Sequence, residues 1–351
     1  MLLLHNFLNI FNIYNRMNLI ITNYTVNIDS NNIAKYSTKI SKGDNKSLLY
    51  TLPYIPFTNY GWVTLRYELL KFMKESVILK KISLALNSNE EIKTILFFRA
   101  NTFISKNYDQ IKKLSGIKKI IYVDDLHNSM EMRELRELDP NIFDSFDLIL
   151  STYAYCFDKF FPKVPKEKVY WFPHSFNEQL KIDYNPNPIN KILLCGCICD
   201  SYPMRQKVAN LKDIFPIDIL EHPKYCKTKL HDIIGKKFIQ KLNEYRAVFT
   251  CCLNVSTPYL VQKFFEIPGS GALLIAYDKW VEEPLKELGF VDMENYLSVN
   301  EENLEEKISF IFDEKNFDLI ESIRINGYNF IHEKHTHQIR TDKLIEYINK
   351  K

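Results

Sequence analysis

The sequence lacks any dense block of lysine and arginine. Its 46 basic and 43 acidic residues are interleaved and leave a net charge of only +3. Nucleic-acid-binding proteins concentrate positive charge on one face, so this pattern argues against a nucleic-acid partner. Short repeats and low-complexity segments are also missing. The composition, 46% hydrophobic and 25% charged over 351 residues, is that of an ordinary globular protein with room for two domains.

A disulfide framework is also missing, because the seven cysteines are odd in number and their spacing matches no such pattern. Cys195, Cys197 and Cys199 alternate at the end of a predicted strand, where Cys197 would face away from the other two. We interpret these residues as buried thiols rather than metal ligands. Unbonded cysteines are typical of a reducing compartment, and we expect the protein in the cytoplasm.

No run of about 20 apolar residues is present, so no transmembrane helix is predicted. The most apolar stretch, residues 1–24, is interrupted by several asparagines and by Arg16, and no basic segment precedes it. An added strand or helix, or an extension upstream of Met17, is favoured there over a weak membrane anchor. The Asn-, Lys-, Ile- and Tyr-rich composition is typical of an AT-rich genome, such as that of a large DNA virus or a low-GC microbe.

A complete set of metal ligands is not evident either. His332, His335 and His337 cluster near the C-terminus, but no carboxylate or thiolate stands at a spacing that would complete a site. We therefore predict no metal and no cofactor. His335 and Thr336, together with Arg340, are expected to fix the terminal helix instead.

Short apolar runs alternate with amphipathic stretches along most of the chain. The predicted strands are residues 47–52, 94–98, 119–123, 148–151 and 168–172 in the first half and 191–195, 217–220, 247–251 and 272–276 in the second. A glycine-containing loop and a helix over residues 63–80 follow the first of them. This alternation predicts an α/β fold in which two Rossmann-like domains with doubly wound parallel sheets face one cleft.

A polar, proline-bearing stretch separates the two patterns and predicts the domain linker at residues 183–190. We expect an N-terminal domain over residues 1–182, whose first 45 residues form a poorly defined extension. A C-terminal domain is expected over residues 191–335, followed by a terminal helix within residues 336–351.

Polar residues directly after predicted strands are candidate site residues, because ligands of doubly wound sheets collect beyond the carboxyl ends of the strands. An Asp–His pair such as Asp125 and His127 can supply a base near neutral pH; loop side chains that bond only to the backbone are the alternative. The residues at such positions in the first half are Arg99, Asn101, Asp124, Asp125, His127, Thr152, Tyr153, His174 and Ser175.

Residues 257–278 form the stretch that most resembles a working site. Thr257 is a favourable N-cap and Pro258 a favourable first helical residue, so we predict a helix that begins there and ends at Pro268. Gly269 and Gly271 then predict a tight turn into a buried strand.

Lys263 and Glu266 would share the polar face of this helix, where the ammonium and the helix N-terminus could face phosphate oxygens. An exposed lysine–glutamate pair is the alternative interpretation. Arg205 is a second phosphate candidate, because its guanidinium fork suits a pyrophosphate and Gly196 would let the backbone approach. A surface arginine that caps or bridges is the alternative there.

Several short motifs occur in a fixed order: Asp125-Leu-His127, Trp171-Phe-Pro-His-Ser175, Gly196, Tyr202-Pro-Met-Arg205, Lys263-Phe-Phe-Glu266, Gly269-Ser-Gly271, Leu288-Gly-Phe290, and His335-Thr336 with Arg340. Their order and spacing resemble those of GT-B glycosyltransferases of the group 1 type, closest to the CgeB-like branch of spore-maturation proteins. The resemblance covers residues 93–347. In GT-B proteins the terminal helix crosses back to the N-terminal domain, so the same is expected here.

The resemblance implies transfer of a sugar from a nucleotide-sugar donor to a hydroxyl or amine of an unidentified acceptor, without a bound metal. The second domain would hold the donor, and Glu266 would accept from the ribose hydroxyls. The donor-binding residues implied are Gly196, Tyr202, Arg205, Lys263, Glu266, Gly269 and Gly271.

The first domain would hold the acceptor, with Asp125 and His127 as catalytic residues and Arg99 and His174 lining the cleft. An inverting reaction needs such a base and a retaining one does not, and the sequence leaves both open. Tyr259 stands where the family has a first glutamate, which leaves the class of donor open. A nucleotide-sugar epimerase, or a nucleotide-sugar-binding module without turnover, would fit the same donor pocket.

Overall fold

The computed structural model describes residues 16–22, 27–28, 34–35, 62–66, 91–127, 130–220, 235–252 and 256–350, together with residues 233 and 254. Their contacts separate into two compact units that divide between Phe172 and Pro173. This division falls ahead of the predicted linker at residues 183–190, and it groups the C-terminal residues with the second unit. Each unit is built on its own parallel sheet, as the alternation of strands and helices predicted.

The first unit contains a six-stranded sheet in the order β4-β1-β5-β6-β7-β8. All its strand pairs are parallel. The strands of this unit are β1 (Arg16–Thr22), the short antiparallel pair β2 (Asn27–Ile28) and β3 (Ala34–Lys35), β4 (Trp62–Arg66), β5 (Glu91–Phe98), β6 (Lys118–Val123), β7 (Leu148–Ser151) and β8 (Val169–Trp171). Its helices are α1 (Asn101–Lys112), α2 (Met130–Leu138) and α3 (Phe157–Phe160).

The apolar N-terminal stretch supplies a central strand of this sheet. β1 pairs with β4 on one side and with β5 on the other, and Leu19, Ile20 and Ile21 are fully buried. A strand covered on both faces is apolar without alternation, which explains why this stretch resembled a membrane segment. The added strand that was one of the expectations for this stretch is confirmed at residues 16–22, which therefore belong to the sheet and not to the poorly defined extension expected over residues 1–45.

The second unit contains a five-stranded parallel sheet in the order β10-β9-β11-β12-β13. Its strands are β9 (Ile189–Cys195), β10 (Ile217–Leu220), β11 (Tyr245–Cys251), β12 (Leu273–Tyr277) and β13 (Leu297–Val299). Its helices are α4 (Pro203–Asn210), α5 (Lys236–Asn243), α6 (Lys263–Gly269), α7 (Glu282–Leu288), α8 (Leu304–Phe312), α9 (Phe317–Lys334) and α10 (His337–Lys350).

The predicted strands from residue 94 onward are confirmed, with bounds that differ by a few residues. β13 and α7 were not predicted, because three residues show no period and Pro284 interrupts the helical pattern. The helix predicted over residues 63–80 is wrong at 63–66, which form β4. Residues 67–80 and the predicted strand at 47–52 lie outside the described residues. No helix in the described part of the chain is long and apolar enough to cross a membrane.

Candidate functional site

The polar helix α6 begins later than the sequence predicts. It spans Lys263–Gly269, so the predicted start at Thr257 and Pro258 is wrong. Asn254 explains the difference: its Oδ1 accepts from the amides of Ser256 at 2.9 Å and Thr257 at 3.1 Å, and from the Thr257 hydroxyl at 3.1 Å. The Thr257 side chain therefore closes a turn with Asn254 and does not cap a helix.

Lys263 and Glu266 lie on the first turn of α6, as the spacing predicted. Both side chains are half-buried. Desolvation raises the pKa of Glu266 to about 7, and the charge of Lys263 opposes this shift. Among the residues that the structure describes, neither side chain forms a hydrogen bond or an ion pair. Polar groups in such surroundings normally have partners, so this pair is unusual.

The carboxyl end of β9 brings the candidate charges together. Burial raises the pKa of the Cys195 thiol, the charges of Lys263 and Arg205 lower it, and Glu266 raises it further. In the neighbouring strand β11, burial raises the pKa of Cys251, and Arg205 and Lys263 again oppose the shift. Arg205 and Lys263 therefore lie near the carboxyl ends of two adjacent strands, and Glu266 lies near that of β9, where doubly wound sheets bind ligands.

Arg205 supports the loop that follows β9. Its Nη1 donates to the Cys197 carbonyl at 3.1 Å and its Nη2 to the Cys251 carbonyl at 3.5 Å. Gly196 has φ = 111°, and a β-carbon there would lie 2.8 Å from Arg205 Nη1. The backbone thus lies directly against the guanidinium, and only glycine fits this position.

Arg205 is 2% exposed, and its guanidinium stacks on the Tyr202 ring, with 3.8 Å from Cζ to the ring centroid. This burial favours a supporting role over direct contact with a ligand. In the described part of the chain, neither Arg205 nor Lys263 has a carboxylate within ion-pair distance, and Arg205 Nε has no partner. Two cations that lack an ion-pair partner among the described residues, both near the carboxyl ends of the strands, attract an anion.

Gly269 and Gly271 lie against aromatic side chains. A β-carbon at Gly269 would overlap the Phe176 ring, and one at Gly271, where φ is 90°, would lie 3.0 Å from Tyr184. Packing therefore accounts for both glycines, and their predicted contact with a donor stays a prediction. Pro268 lies inside α6 rather than ending it.

Asp278 is a buried carboxylate that sequence reasoning missed, although it directly follows β12 and fits the rule applied to the other strands. It accepts from Tyr296 Oη at 2.8 Å and from Ser298 Oγ at 2.9 Å. Burial raises the pKa of Asp278, and the two hydroxyl donors lower it. Because both partners flank or belong to β13, Asp278 ties this edge strand to β12.

In the first unit, polar residues that follow three neighbouring strands form one network. Arg99, which follows β5 in the left-handed region at φ = 48°, forms an ion pair with Asp124 after β6. Thr152 after β7 donates to Asp124 Oδ1 at 2.9 Å. Asp125 and His127 follow in the same segment and are half-buried. The Asp124 carboxylate thus neutralises Arg99, and the catalytic roles of Asp125 and His127 stay predictions.

The C-terminal histidines make internal contacts. His335 Nε2 donates to the Leu288 carbonyl at 3.0 Å, and Arg340 donates to His335 Nδ1. Burial, followed by the Arg340 charge, lowers the pKa of His335 to about 3. His174, the remaining candidate, is buried in the segment after β8. Within the described ranges, no group of three or more His, Cys, Asp or Glu side chains could hold a metal ion.

No protein-family model and no curated protein matches the sequence, but solved structures do. Anabaena HepE in complex with UDP-glucose is 9% identical, with a TM-score of 0.55 over 95% of this chain and 100% of that chain. Sucrose-phosphate synthase from Thermosynechococcus elongatus is also 9% identical, with a TM-score of 0.54 over 95% and 99%. The chain has the GT-B fold.

The longer pneumococcal O-GlcNAc transferase GtfA is 12% identical, with a TM-score of 0.47 over 78% of this chain. This chain spans only 59% of the length of GtfA. Identities this low establish the GT-B fold and nothing finer. Within that fold, the second unit presents a cation, a carboxylate acceptor and a buried supporting arginine at the strand ends. Chemically, this set can bind an anion that carries neighbouring hydroxyl groups.

Proposed function

We propose that the protein is a glycosyltransferase that moves a sugar from a nucleotide-sugar donor to a hydroxyl or amine of an acceptor. The observation that carries the proposal is the unpaired state of Lys263 and Glu266 among the described residues. A half-buried cation and carboxylate are costly unless a ligand supplies their partners. The GT-B fold adds support, since HepE has this fold and binds UDP-glucose.

In the proposed mechanism, the Lys263 ammonium contacts the diphosphate of the donor. The bond between the anomeric carbon and the diphosphate oxygen breaks, so negative charge grows on the leaving group. A fixed cation in a desolvated site stabilises this charge. The buried charge of Arg205, which contacts the loop after β9, adds to the positive potential at the diphosphate. The Glu266 carboxylate accepts hydrogen bonds from the ribose hydroxyls.

The finer assignments belong to the same proposal. Asp125 and His127 supply the base if the reaction inverts the anomeric centre. A metal is not required, because Lys263 and Arg205 provide the positive charge. The motif order supports the CgeB-like branch, and a cytoplasmic location is supported by the cysteines, none of which forms a disulfide among the six that the structure describes.

A two-stage experiment tests this proposal. A thermal-shift screen with nucleoside diphosphates and their sugars first identifies the donor, because a bound ligand raises Tm by mass action. The selected nucleotide sugar is then incubated with glycan, protein and small-molecule acceptors, with and without EDTA. We expect a glycosylated product and free nucleoside diphosphate in both conditions. Conversion of the nucleotide sugar without an acceptor would instead identify an epimerase, and binding without any product would identify a module that lacks turnover.

A further inference from the structure

Gln262 directly precedes Lys263 and closes the first turn of α6. Its carbonyl accepts from the amides of Phe265 at 3.0 Å and Glu266 at 3.1 Å. Its side-chain Nε2 donates to the Ser175 carbonyl at 2.5 Å. A carbonyl oxygen can only accept, so this contact needs the amide group of glutamine and is lost with an apolar side chain of the same length.

The Ser175 carbonyl is held in place by residues that lead into α10. Ser175 is buried, and its hydroxyl is hydrogen-bonded to His337 Nδ1 at 2.7 Å. The next residue, Phe176, donates its amide to the His335 carbonyl at 2.8 Å, and its own carbonyl accepts from the His337 amide at 2.9 Å. These backbone and side-chain bonds fix the acceptor that the Gln262 side chain reaches.

The same two residues contact both ends of α6. Ser175 accepts from Gln262 at the start of the helix, and the Phe176 ring lies against Gly269 at its end, where a β-carbon would overlap it. A helix of seven residues forms few backbone hydrogen bonds of its own, so its position depends on contacts of this kind. Lys263 and Glu266 lie between the two contacts.

We infer that Gln262 is a positioning residue for the donor site. Its bond to the Ser175 carbonyl fixes the first turn of α6 and thereby holds the Lys263 ammonium against the diphosphate of the donor. Charge-assisted hydrogen bonds are short and directional, so a looser first turn weakens the contact of Lys263 without removing its charge. The inference rests on the proposed function, which assigns Lys263 to the diphosphate.

The test compares Gln262→Met with the wild type in the full chain. Methionine keeps the length and the helix propensity of glutamine but cannot donate to Ser175. Gln240→Met, at an exposed position of α5, is the matched control. Amide hydrogen exchange of Phe265 and Glu266 measures the opening of the first turn without any ligand.

Calorimetry then measures the affinity for UDP, or for the nucleoside diphosphate that the screen selects, in a double-mutant cycle with Lys263→Ala. Such a cycle separates an effect that acts through Lys263 from one that is independent of it. A residue that only stabilises the fold would change the free energy of unfolding and leave this affinity unaltered.

We expect faster exchange of the two amides in Gln262→Met and unchanged exchange in Gln240→Met. Affinity should fall by roughly fivefold when Lys263 is present, as for the loss of one hydrogen bond, and by less than about twofold in the Lys263→Ala background. If Gln262→Met does not fold, Ser175→Ala replaces it in the same cycle, because it removes the hydroxyl that bonds to His337.

Three results would overturn the positioning role. They are unchanged exchange of the two amides, unchanged affinity despite faster exchange, and an equal loss of affinity with and without Lys263. These results leave the proposed function intact, since the wild type still binds the nucleotide. A wild type that binds no nucleoside diphosphate would instead contradict the proposed function, and the inference with it.

Discussion

Lys263 and Glu266 lie three residues apart on the first turn of α6, yet within the described residues no hydrogen bond or ion pair involves either side chain. A simple surface pair at this spacing would be exposed and worth a few tenths of a kcal/mol. Here both groups are half-buried and desolvation dominates the pKa of Glu266. The desolvation of these two groups therefore lowers the stability of the folded protein, and a ligand that bonds to them would offset this cost.

The Glu266→Gln variant should be more stable than the wild type at high pH. The folded pKa of Glu266, about 7, exceeds its ordinary value of 4.5. The stability contribution of the neutral acid is thus complete below pH 4.5 and is lost as pH rises through 7. We expect Tm at pH 8 to rise by about 3 °C or more, with little change at pH 4.5, as measured by calorimetry. Equal effects at both pH values, or the same gain in the exposed control Glu283→Gln, would contradict this explanation.

Donor affinity should rise with pH through the same range. Ribose hydroxyls donate more strongly to the ionised Glu266 carboxylate than to its neutral form, so binding favours loss of the proton. The test titrates UDP-glucose, or the nucleotide sugar that the screen selects, between about pH 5.5 and 8. We expect roughly tenfold tighter binding at the upper end for the wild type and a flat profile for Glu266→Gln. Parallel profiles for the two proteins would place the titrating group elsewhere.

Gly196→Ala should weaken both folding and nucleotide binding. The new β-carbon would lie 2.8 Å from Arg205 Nη1 in a backbone conformation with φ = 111°. Gly116 is the matched control, because its φ is 74° but no heavy atom lies within 4 Å of a β-carbon there. We expect a loss of about 2–4 kcal/mol of unfolding free energy for Gly196→Ala and about 1 kcal/mol for Gly116→Ala. Urea unfolding and nucleotide titration measure the two effects. Equal losses of unfolding free energy in Gly196→Ala and Gly116→Ala would show that the Arg205 side chain moves aside without a cost in stability.

Gly269→Ala should destabilise the protein through Phe176 rather than through the donor. A β-carbon at Gly269 would overlap the Phe176 ring, which is fully buried. We expect a loss of about 1–3 kcal/mol for Gly269→Ala and partial recovery when Phe176→Leu is combined with it, measured as a double-mutant cycle. Nucleotide affinity of the folded variant should stay close to that of the wild type. Additive losses of unfolding free energy in the double mutant would exclude the steric explanation. A loss of nucleotide affinity without a loss of stability would show that Gly269 contacts the donor.

The fold was largely predictable because buried parallel strands read as short apolar runs, and most of these runs became strands of the two sheets. The N-terminal stretch was left between strand and helix for the same reason, since an apolar strand without alternation cannot be distinguished from other buried segments by periodicity alone. The start of α6 was missed because the Asn254 side chain competes with Thr257 for the local backbone contacts.

The sequence was enough to predict which residues belong to the candidate site, but not what their side chains contact. Lys263 and Glu266 could be placed on one helix face by spacing, and Gly196 could be paired with Arg205 as parts of one loop. The burial of Arg205 could not be predicted, because it depends on the Cys251 carbonyl of the neighbouring strand. The surroundings of Cys197 and Cys199 were also hidden, because β9 ends at Cys195 and both residues are half-buried in the loop, not buried on the strand.

The most direct test of the account is the affinity of Lys263→Ala for the nucleoside diphosphate that the screen selects, measured by isothermal titration calorimetry. Lys286→Ala, which removes an exposed lysine from α7, is the control. We predict binding that is weaker by roughly tenfold or more for Lys263→Ala, the loss expected for a charge-assisted contact, and unchanged for Lys286→Ala. Equal affinity of Lys263→Ala and the wild type, or no binding of any nucleoside diphosphate to the wild type, would contradict the proposal that Lys263 binds the diphosphate of the donor.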